Sequence, residues 1–150
     1  MSAYAGWAGS LAAEEVRDRL ERARRITRRP LGEWIPQLLD TLLPAGSPTA
    51  LADELSTMLA DLHPDATRTA LEAFAEADLR ATLPRIEVPT LLVYGELDVR
   101  SPRQAYQAIH DAVPGAELVV IPHVGHMVDM QAPQRVNAEI RAFLRLQDAA

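Results

Sequence analysis

The chain has 150 residues, of which 48% are apolar and 24% charged, and this balance predicts one folded domain rather than a disordered chain. Its 15 basic residues, all arginine, are outnumbered by 21 acidic ones, and the net charge of −6 argues against a nucleic acid or an anionic membrane as the main partner. Cysteine is absent, which excludes disulfides and cysteine-ligated metals, and no apolar run is long enough to span a membrane.

The first half of the chain has the pattern of short helices. Met1 to Val16 has neither the basic start nor the apolar centre of a secretory signal, so we expect a cytoplasmic protein. Apolar residues then recur at helical spacing, interrupted by loops that contain proline. They predict four amphipathic helices: Leu11–Ile26, Leu31–Leu43, one from a Ser47-Pro48 cap, and one after Pro64.

These helices are expected to pack into a small layer. The third helix is expected to bury a set of apolar side chains, namely Leu51, Leu55, Met58, Leu59 and Leu62. Four large side chains in these helices have two possible roles, namely Trp7, Trp34, Met58 and Phe74. They could pack in the core, which we favour, or line an acyl pocket.

From about residue 79 the pattern changes to strands that alternate with helices. Pro89–Gly95 and Glu117–Pro122 are continuous apolar runs between turn residues, which is typical of strands buried on both faces of a parallel sheet. Ser101 is expected to cap the helix between them, with Gln104 reaching back to the cap. A last helix, from Pro133, is expected to bury Val136, Ile140, Phe143 and Leu144. The order β-α-β-α predicts an α/β fold with a parallel sheet.

Two ionisable side chains follow the predicted strands at the sheet edge where ligands gather in α/β proteins. Asp98 follows the first strand and His126 the second, while Glu96 and Arg100, which flank the acid, are expected to stay in solvent. An acid–base pair needs this arrangement, because the carboxylate holds one ring nitrogen and the other nitrogen takes a proton. Asp98 and His126 are therefore the candidate catalytic residues.

The second half of the chain resembles the α/β-hydrolase family. The resemblance is carried by Leu83–Asp98, Pro114–Pro122 and Gly125-His126-Met127. In that family the acid follows the penultimate strand of the core and the histidine follows the last, so the resemblance implies that Asp98 and His126 belong to a Ser-Asp-His triad. It also implies that residues 1–78 form a helical cap (lid), and that residues 79–150 are the C-terminal β-α-β-α portion of the core.

The nucleophile turn of that family is missing from the sequence. None of the serines stands in a Gly-x-Ser-x-Gly turn, the oxyanion-hole segment is missing too, and no aspartate stands in an equivalent turn. We therefore interpret the chain as a truncated or partial hydrolase that is inactive alone. Completed by an N-terminal half, it is expected to act on an ester, lactone or related carbonyl substrate. The alternative is a non-catalytic interaction module or an inactive fragment.

Simpler interpretations of the same residues stay open. Asp98 could cap a turn, and His126 could be an ordinary loop histidine. His123, His126 and Asp129 share a three-residue spacing, but a loop has no fixed periodicity, so neither a metal nor a cofactor is expected. The strand Thr90–Tyr94 has one neighbour at most, so its other edge is expected to cause self-association or to bind an N-terminal half.

Overall fold

A computed structural model describes residues 3–148, and most of these residues are helical. The elements of the first half are α1 (Ala13–Ile26), α2 (Leu31–Leu42), α3 (Thr49–Ala60) and α4 (Pro64–Glu76). After a 3-10 turn at Leu83–Arg85, the second half consists of β1 (Leu91–Gly95), α5 (Arg103–Ala112), β2 (Glu117–Ile121), α6 (Val128–Gln131) and α7 (Pro133–Asp148). The predicted β-α-β-α order is confirmed, with the short helix α6 as an addition that the sequence pattern does not indicate.

The two strands pair in parallel, as predicted, with Leu91 opposite Glu117 and Gly95 opposite Ile121. Strand β1 is buried along almost its whole length, because helices α5, α6 and α7 all contact it. The prediction that β2 is equally buried is wrong, since only Ile121 is fully covered and Val120 stays 40% exposed. The described sheet is therefore a two-stranded part of an α/β fold, in which β1 is the more deeply buried strand.

The side chains of β1 alternate between two apolar clusters, as the pleat of a strand requires. Leu92 and Tyr94 pack with residues of α5, including Tyr106 and Ile109. Val93 points to the other cluster, whose remaining buried members come from β2, the following loop, α6 and α7, namely Ile121, Val124, Val128 and Val136. This second cluster lies directly beneath the loop that carries His126, so it fixes the base of that loop.

A third cluster joins the helices of the first half to the second half. Leu42, Leu43 and Leu55 are its buried residues, and Met127 and Met130 pack against them from the loop and helix after β2. The expected burial of Leu55 is confirmed, whereas Met58 is 57% exposed because it lies outside this cluster. The end of α2 thus rests on the segment that follows His126.

Three further expectations about the helices are wrong. The predicted serine caps are replaced by proline at the N-cap of both helices, Pro48 for α3 and Pro102 for α5. The Ser47 hydroxyl donates instead to the carbonyl of Pro44 at 2.8 Å. On α7 Val136 is buried as expected, but Ile140 and Leu144 are exposed, because β1 and α6 contact only the beginning of that helix's apolar stripe.

The segment before α1 reaches the strand core. The Tyr94 hydroxyl is fully buried with its ring, donates to the carbonyl of Ala3 at 2.8 Å and accepts from the N–H of Ala3 at the same distance. Burial raises the pKa of Tyr94 to about 12.

Division of the chain into a cap over 1–78 and a core portion over 79–150 stays a prediction. Within residues 3–148 no helix is both long and apolar enough to cross a bilayer.

Candidate active site

The loops that follow β1 and β2 are bonded to each other. The N–H of Glu96 donates to the carbonyl of Ile121 at 2.9 Å, and the N–H of Leu97 donates to that of Val124 at 2.8 Å. The carboxylate of Glu96 accepts the N–H of His123 at 3.0 Å, and His123 has a left-handed backbone with φ of 61°. These bonds hold the two loops in one arrangement, so the residues that follow them have fixed relative positions.

Two glycines allow the loops to approach this closely. A Cβ atom on Gly95 would lie 2.1 Å from the carbonyl oxygen of Gly125 and 2.3 Å from that of Val124. A Cβ atom on Gly125 would lie 2.7 Å from Cδ of Pro44, at the end of α2. Both positions need a residue without a side chain, because neither the backbone atoms around Gly95 nor the rigid proline ring beside Gly125 can yield easily to a methyl group at such distances.

Asp98 and His126 lie side by side where the loops meet. The Nδ1 atom of His126 is 2.9 Å from Oδ2 of Asp98 and 3.1 Å from Oδ1. The carboxylate side chain is 1% exposed, whereas the imidazole is 21% exposed. The acid is therefore enclosed behind the histidine, and the histidine reaches the surface of the site.

The electrostatics of Asp98 determine the orientation of the imidazole. Burial by itself would raise the pKa of Asp98, but hydrogen bonds from His126 and from the N–H groups of Ser101 and Arg100 outweigh it and hold that pKa below its usual range. An ionised carboxylate only accepts hydrogen bonds, so Nδ1 of His126 carries the proton. In a neutral imidazole the lone pair is then on Nε2, which is the atom that a general base uses.

The alternative interpretation of Asp98, as the cap of a turn, holds at the same time. Its Oδ1 atom accepts the N–H of Arg100 at 2.8 Å and the N–H of Ser101 at 3.0 Å. These bonds close the turn that precedes α5 and leave Oδ2 directed at the imidazole. The turn therefore orients the carboxylate, and Asp98 closes the turn and contacts the imidazole at the same time.

Arg100 does not stay in solvent, contrary to the sequence-based expectation. Its guanidinium donates from Nη1 to the hydroxyl of Thr41 on α2 at 2.8 Å, and its carbonyl accepts from Nη1 of Arg19 on α1 at 3.1 Å. Burial lowers the pKa of Arg100, as expected for a guanidinium packed against helices. Glu96 remains half exposed, but it is engaged by the N–H of His123.

The loop of His126 is also held from its other side, by groups that the sequence analysis missed. The carbonyl of Leu42 accepts the N–H of His126 at 3.2 Å and that of Met127 at 3.4 Å. Gln131 accepts the N–H of Gly125 at 2.9 Å and donates to the Ser47 hydroxyl at 3.4 Å. No motif marks these contacts: those of Leu42 and Ser47 join segments that are far apart in the chain, and the bond from Gly125 to Gln131 is local but follows no known spacing.

Two cavities lie beside the loops that carry the pair, and His126 is among the lining residues of neither. One, of about 480 Å³, is bounded by the end of α2 and by the loop from Glu96 to Val99, which includes Asp98. The other cavity, of about 600 Å³, is bounded on one side by the loop around Pro44 and on the other by Leu97, His123 and Met130. Neither is lined by the four large side chains that could have formed an acyl pocket. Trp7 and Phe74 instead pack against each other edge to face, with ring centroids 5.7 Å apart, which favours the core-packing interpretation.

Three of the serines that the structure describes have hydroxyls bonded to backbone groups. The hydroxyl of Ser10 accepts the N–H of Ala5, and those of Ser47 and Ser56 donate to carbonyls of their own segments. Ser101 is fully buried. Ser2 lies outside the described residues.

Within residues 3–148 no group of three or more His, Cys, Asp or Glu side chains is placed to hold a metal. The imidazole of His123, one of the three residues whose spacing could suggest a metal site, is 90% exposed.

The sequence as a whole matches a known family. A model described as "Alpha/beta hydrolase family" matches residues 2–139. Over 72 residues the chain is 33% identical to the pimeloyl-[acyl-carrier protein] methyl ester esterase of Nitrosomonas europaea. These 72 residues are 48% of this chain and 29% of that protein. Over 78 residues it is 37% identical to the putative carbamate hydrolase RutD of Pseudomonas syringae pv. syringae, 52% of this chain and 29% of that protein.

Solved structures agree with this match. A thermophilic esterase from Thermogutta terrifontis superposes with a TM-score of 0.76 and 28% identity, over 89% of this chain and 51% of the esterase. An enol-lactonase from Burkholderia xenovorans LB400 shares the fold with the same TM-score at 19% identity, over 88% of this chain and 50% of that one. The chain thus spans about half the length of these structures, and less than a third of the two curated relatives.

Proposed function

Because this chain belongs to the alpha/beta hydrolase family, we propose that it supplies the acid and the histidine of a Ser-Asp-His triad to a hydrolase of ester-like substrates. The observation that carries the proposal is the contact of 2.9 Å between Oδ2 of Asp98 and Nδ1 of His126. A buried carboxylate behind a partly exposed imidazole is the arrangement that a triad needs. The contact favours this role over the alternative of a non-catalytic module, because closing the turn before α5 uses Oδ1 of Asp98 and does not by itself need an imidazole against Oδ2.

In the proposed reaction the imidazole acts as the general base. Nε2 of His126 takes the hydroxyl proton of a serine while the serine oxygen attacks the substrate carbonyl carbon. Asp98 holds the Nδ1 proton and stabilises the imidazolium that forms. The proton then moves from Nε2 to the leaving oxygen as the acyl–oxygen bond breaks, and water repeats the sequence to release the acid. The serine and the oxyanion-hole donors come from outside these 150 residues, and no step needs a metal or an organic cofactor.

The substrate class is an ester, a lactone or a related carbonyl compound. Support comes from the proteins that this chain resembles, which are described as a methyl ester esterase, a carbamate hydrolase and an esterase. All of these names denote cleavage next to a carbonyl group. The cavity that Asp98 lines, of about 480 Å³, is large enough for a small ester, since small-molecule sites begin at about 300 Å³.

The proposal also gives the outer edge of β1 a partner. In the described sheet β1 pairs only with β2, so its other edge presents backbone N–H and C=O groups to any further strand. The solved esterase that superposes on this chain is about twice as long, and half of it has no counterpart here. We propose that an N-terminal hydrolase half pairs with this edge, rather than a second copy of the chain, and brings the nucleophile to His126.

Hydrolysis by the chain alone and by a completed chimera tests the proposal. The chimera joins this chain to the part of the Thermogutta terrifontis esterase that it does not cover. We expect no turnover of short p-nitrophenyl esters above buffer by the chain alone, because it lacks the nucleophile and the oxyanion-hole donors. The chimera should hydrolyse them.

A folded but inactive chimera would argue against the proposed role. Turnover by the chain alone, abolished by His126→Ala, would show that the nucleophile lies within these 150 residues and that the interpretation as a partial hydrolase is wrong.

A further inference from the structure

The C-terminal end of helix α2 contacts both loops of the candidate active site. The hydroxyl of Thr41 accepts from Nη1 of Arg100 at 2.8 Å, on the side of Asp98. The next residue, Leu42, accepts the N–H of His126 at 3.2 Å through its carbonyl. Two consecutive residues of one helix therefore hold the acid loop and the histidine loop.

The contact with Arg100 reaches Asp98 through a short covalent path. The backbone N–H of Arg100 donates to Oδ1 of Asp98 at 2.8 Å, and its side chain ends at Thr41. Its carbonyl is held independently by Arg19 of α1 at 3.1 Å. Arg100 is thus fixed at its amide, its carbonyl and its guanidinium, and a shift of any of these would move the amide that orients the carboxylate.

The contact with Leu42 uses a group that a helix leaves available. The last carbonyls of an α-helix have no partner inside the helix and accept hydrogen bonds from elsewhere. Here that carbonyl accepts the backbone N–H of the catalytic candidate itself, and also the N–H of Met127 at 3.4 Å. The position of the α2 end therefore determines where the backbone of His126 lies.

We propose that Thr41 is a positioning residue for the Asp98–His126 pair. It holds the acid loop through Arg100, while the adjoining Leu42 carbonyl holds the histidine loop, so the end of α2 keeps the carboxylate and the imidazole at hydrogen-bonding distance. The inference rests on the proposed function, because it assigns a part of the predicted cap to the geometry of the catalytic pair. Thr41 does not touch the reacting atoms and acts only through Arg100.

The chain offers matched variants. Thr41→Val keeps the size of the side chain and removes the acceptor for Arg100, together with the donor that Thr41 offers to the carbonyl of Leu38 at 2.8 Å. Thr41→Ser keeps the hydroxyl and both of these bonds. Thr57→Val is the control, since the Thr57 hydroxyl on α3 also donates to a carbonyl of its own helix, at 2.9 Å, but is exposed and far from the pair in the bonding network.

Amide hydrogen exchange in the isolated chain tests the inference without any need for activity. We expect Thr41→Val to raise the exchange rates of the N–H groups of Arg100, Ser101 and His126 by about tenfold or more, because local opening of these bonds becomes easier. Thr41→Ser and Thr57→Val should leave these rates close to those of the parent. Unchanged rates in Thr41→Val, or an equal rise at every protected amide including those of β1, would overturn the inference.

Kinetics of the completed chimera provide the second measurement. Thr41→Val should lower kcat by about tenfold with KM little changed, since small displacements of catalytic groups slow the chemical step, and Thr41→Ser should restore most of the loss. A chimera that is inactive with Thr41 intact would count against the proposed function, and the exchange rates would still decide on positioning. Full kcat in Thr41→Val would overturn the inference.

Discussion

Replacement of Asp98 by asparagine is expected to lower the turnover of the completed enzyme by about 10⁴-fold while the fold stays intact. The asparagine Oδ1 atom can still accept the N–H groups of Arg100 and Ser101, so the turn before α5 is kept. The amide nitrogen then faces Nδ1 of His126 and donates to it. The imidazole must carry its proton on Nε2, and it can no longer take a proton from the serine.

Ester hydrolysis by the chimera and thermal unfolding of the isolated chain measure the two parts of this expectation. Asp111→Asn is the matched control, because Asp111 also lies against a histidine, with its Oδ1 atom 3.2 Å from Nδ1 of His110, but on the exposed side of α5. It should leave turnover unchanged. A loss of less than about tenfold in Asp98→Asn would mean that Asp98 is not the acid of the triad.

Replacement of Gly95 by alanine is expected to destabilise the chain by about 3 kcal/mol or more, at the upper end of the cost of overpacking. The added methyl group would lie 2.1 Å from one backbone carbonyl oxygen and 2.3 Å from a second. Backbone atoms of the histidine loop would have to move, because neither oxygen belongs to a flexible side chain. This displacement would also separate His126 from Asp98.

Urea unfolding of the variant and the parent measures this change. Gly32→Ala is the control, since a Cβ atom at this position in α2 meets nothing within 4 Å, and alanine is the better helix former by about 1 kcal/mol. It should be as stable as the parent or more stable. A Gly95→Ala chain within about 0.5 kcal/mol of the parent, the range of ordinary surface substitutions, would show that the loops do not need this close approach.

The sequence predicted those parts of the fold that depend on a local pattern of residues. Continuous apolar runs predict β1 and β2, and parallel strands direct the residues after them to one edge of the sheet, so Asp98 and His126 could be selected together from their positions alone. The family resemblance then added the order of acid and histidine along the chain, and the fold of the family is confirmed by the match over residues 2–139. Their catalytic role remains a prediction.

The contacts around the pair could not be predicted, because they depend on where helices of the first half dock. The sequence predicts that Arg100 is a solvated charge next to the acid, yet its guanidinium bonds to Thr41, far away in the chain. Gln131 lies in a helix of only four residues, too short to have an apolar period, and its side chain bonds to the loop of His126. Side-chain contacts between distant segments leave no spacing or motif in a single sequence.

The turnover of two histidine variants in the completed chimera is the most direct test of the role of the Asp98–His126 pair. His126→Ala removes the imidazole that lies 2.9 Å from Asp98. His123→Ala removes an imidazole that is 90% exposed in the same loop and keeps the backbone N–H that binds Glu96. We expect His126→Ala to abolish ester hydrolysis at least as completely as Asp98→Asn does, and His123→Ala to retain the activity of the parent. More than a tenth of the parent turnover in a folded His126→Ala chimera would contradict the assignment of the pair as the catalytic acid and base.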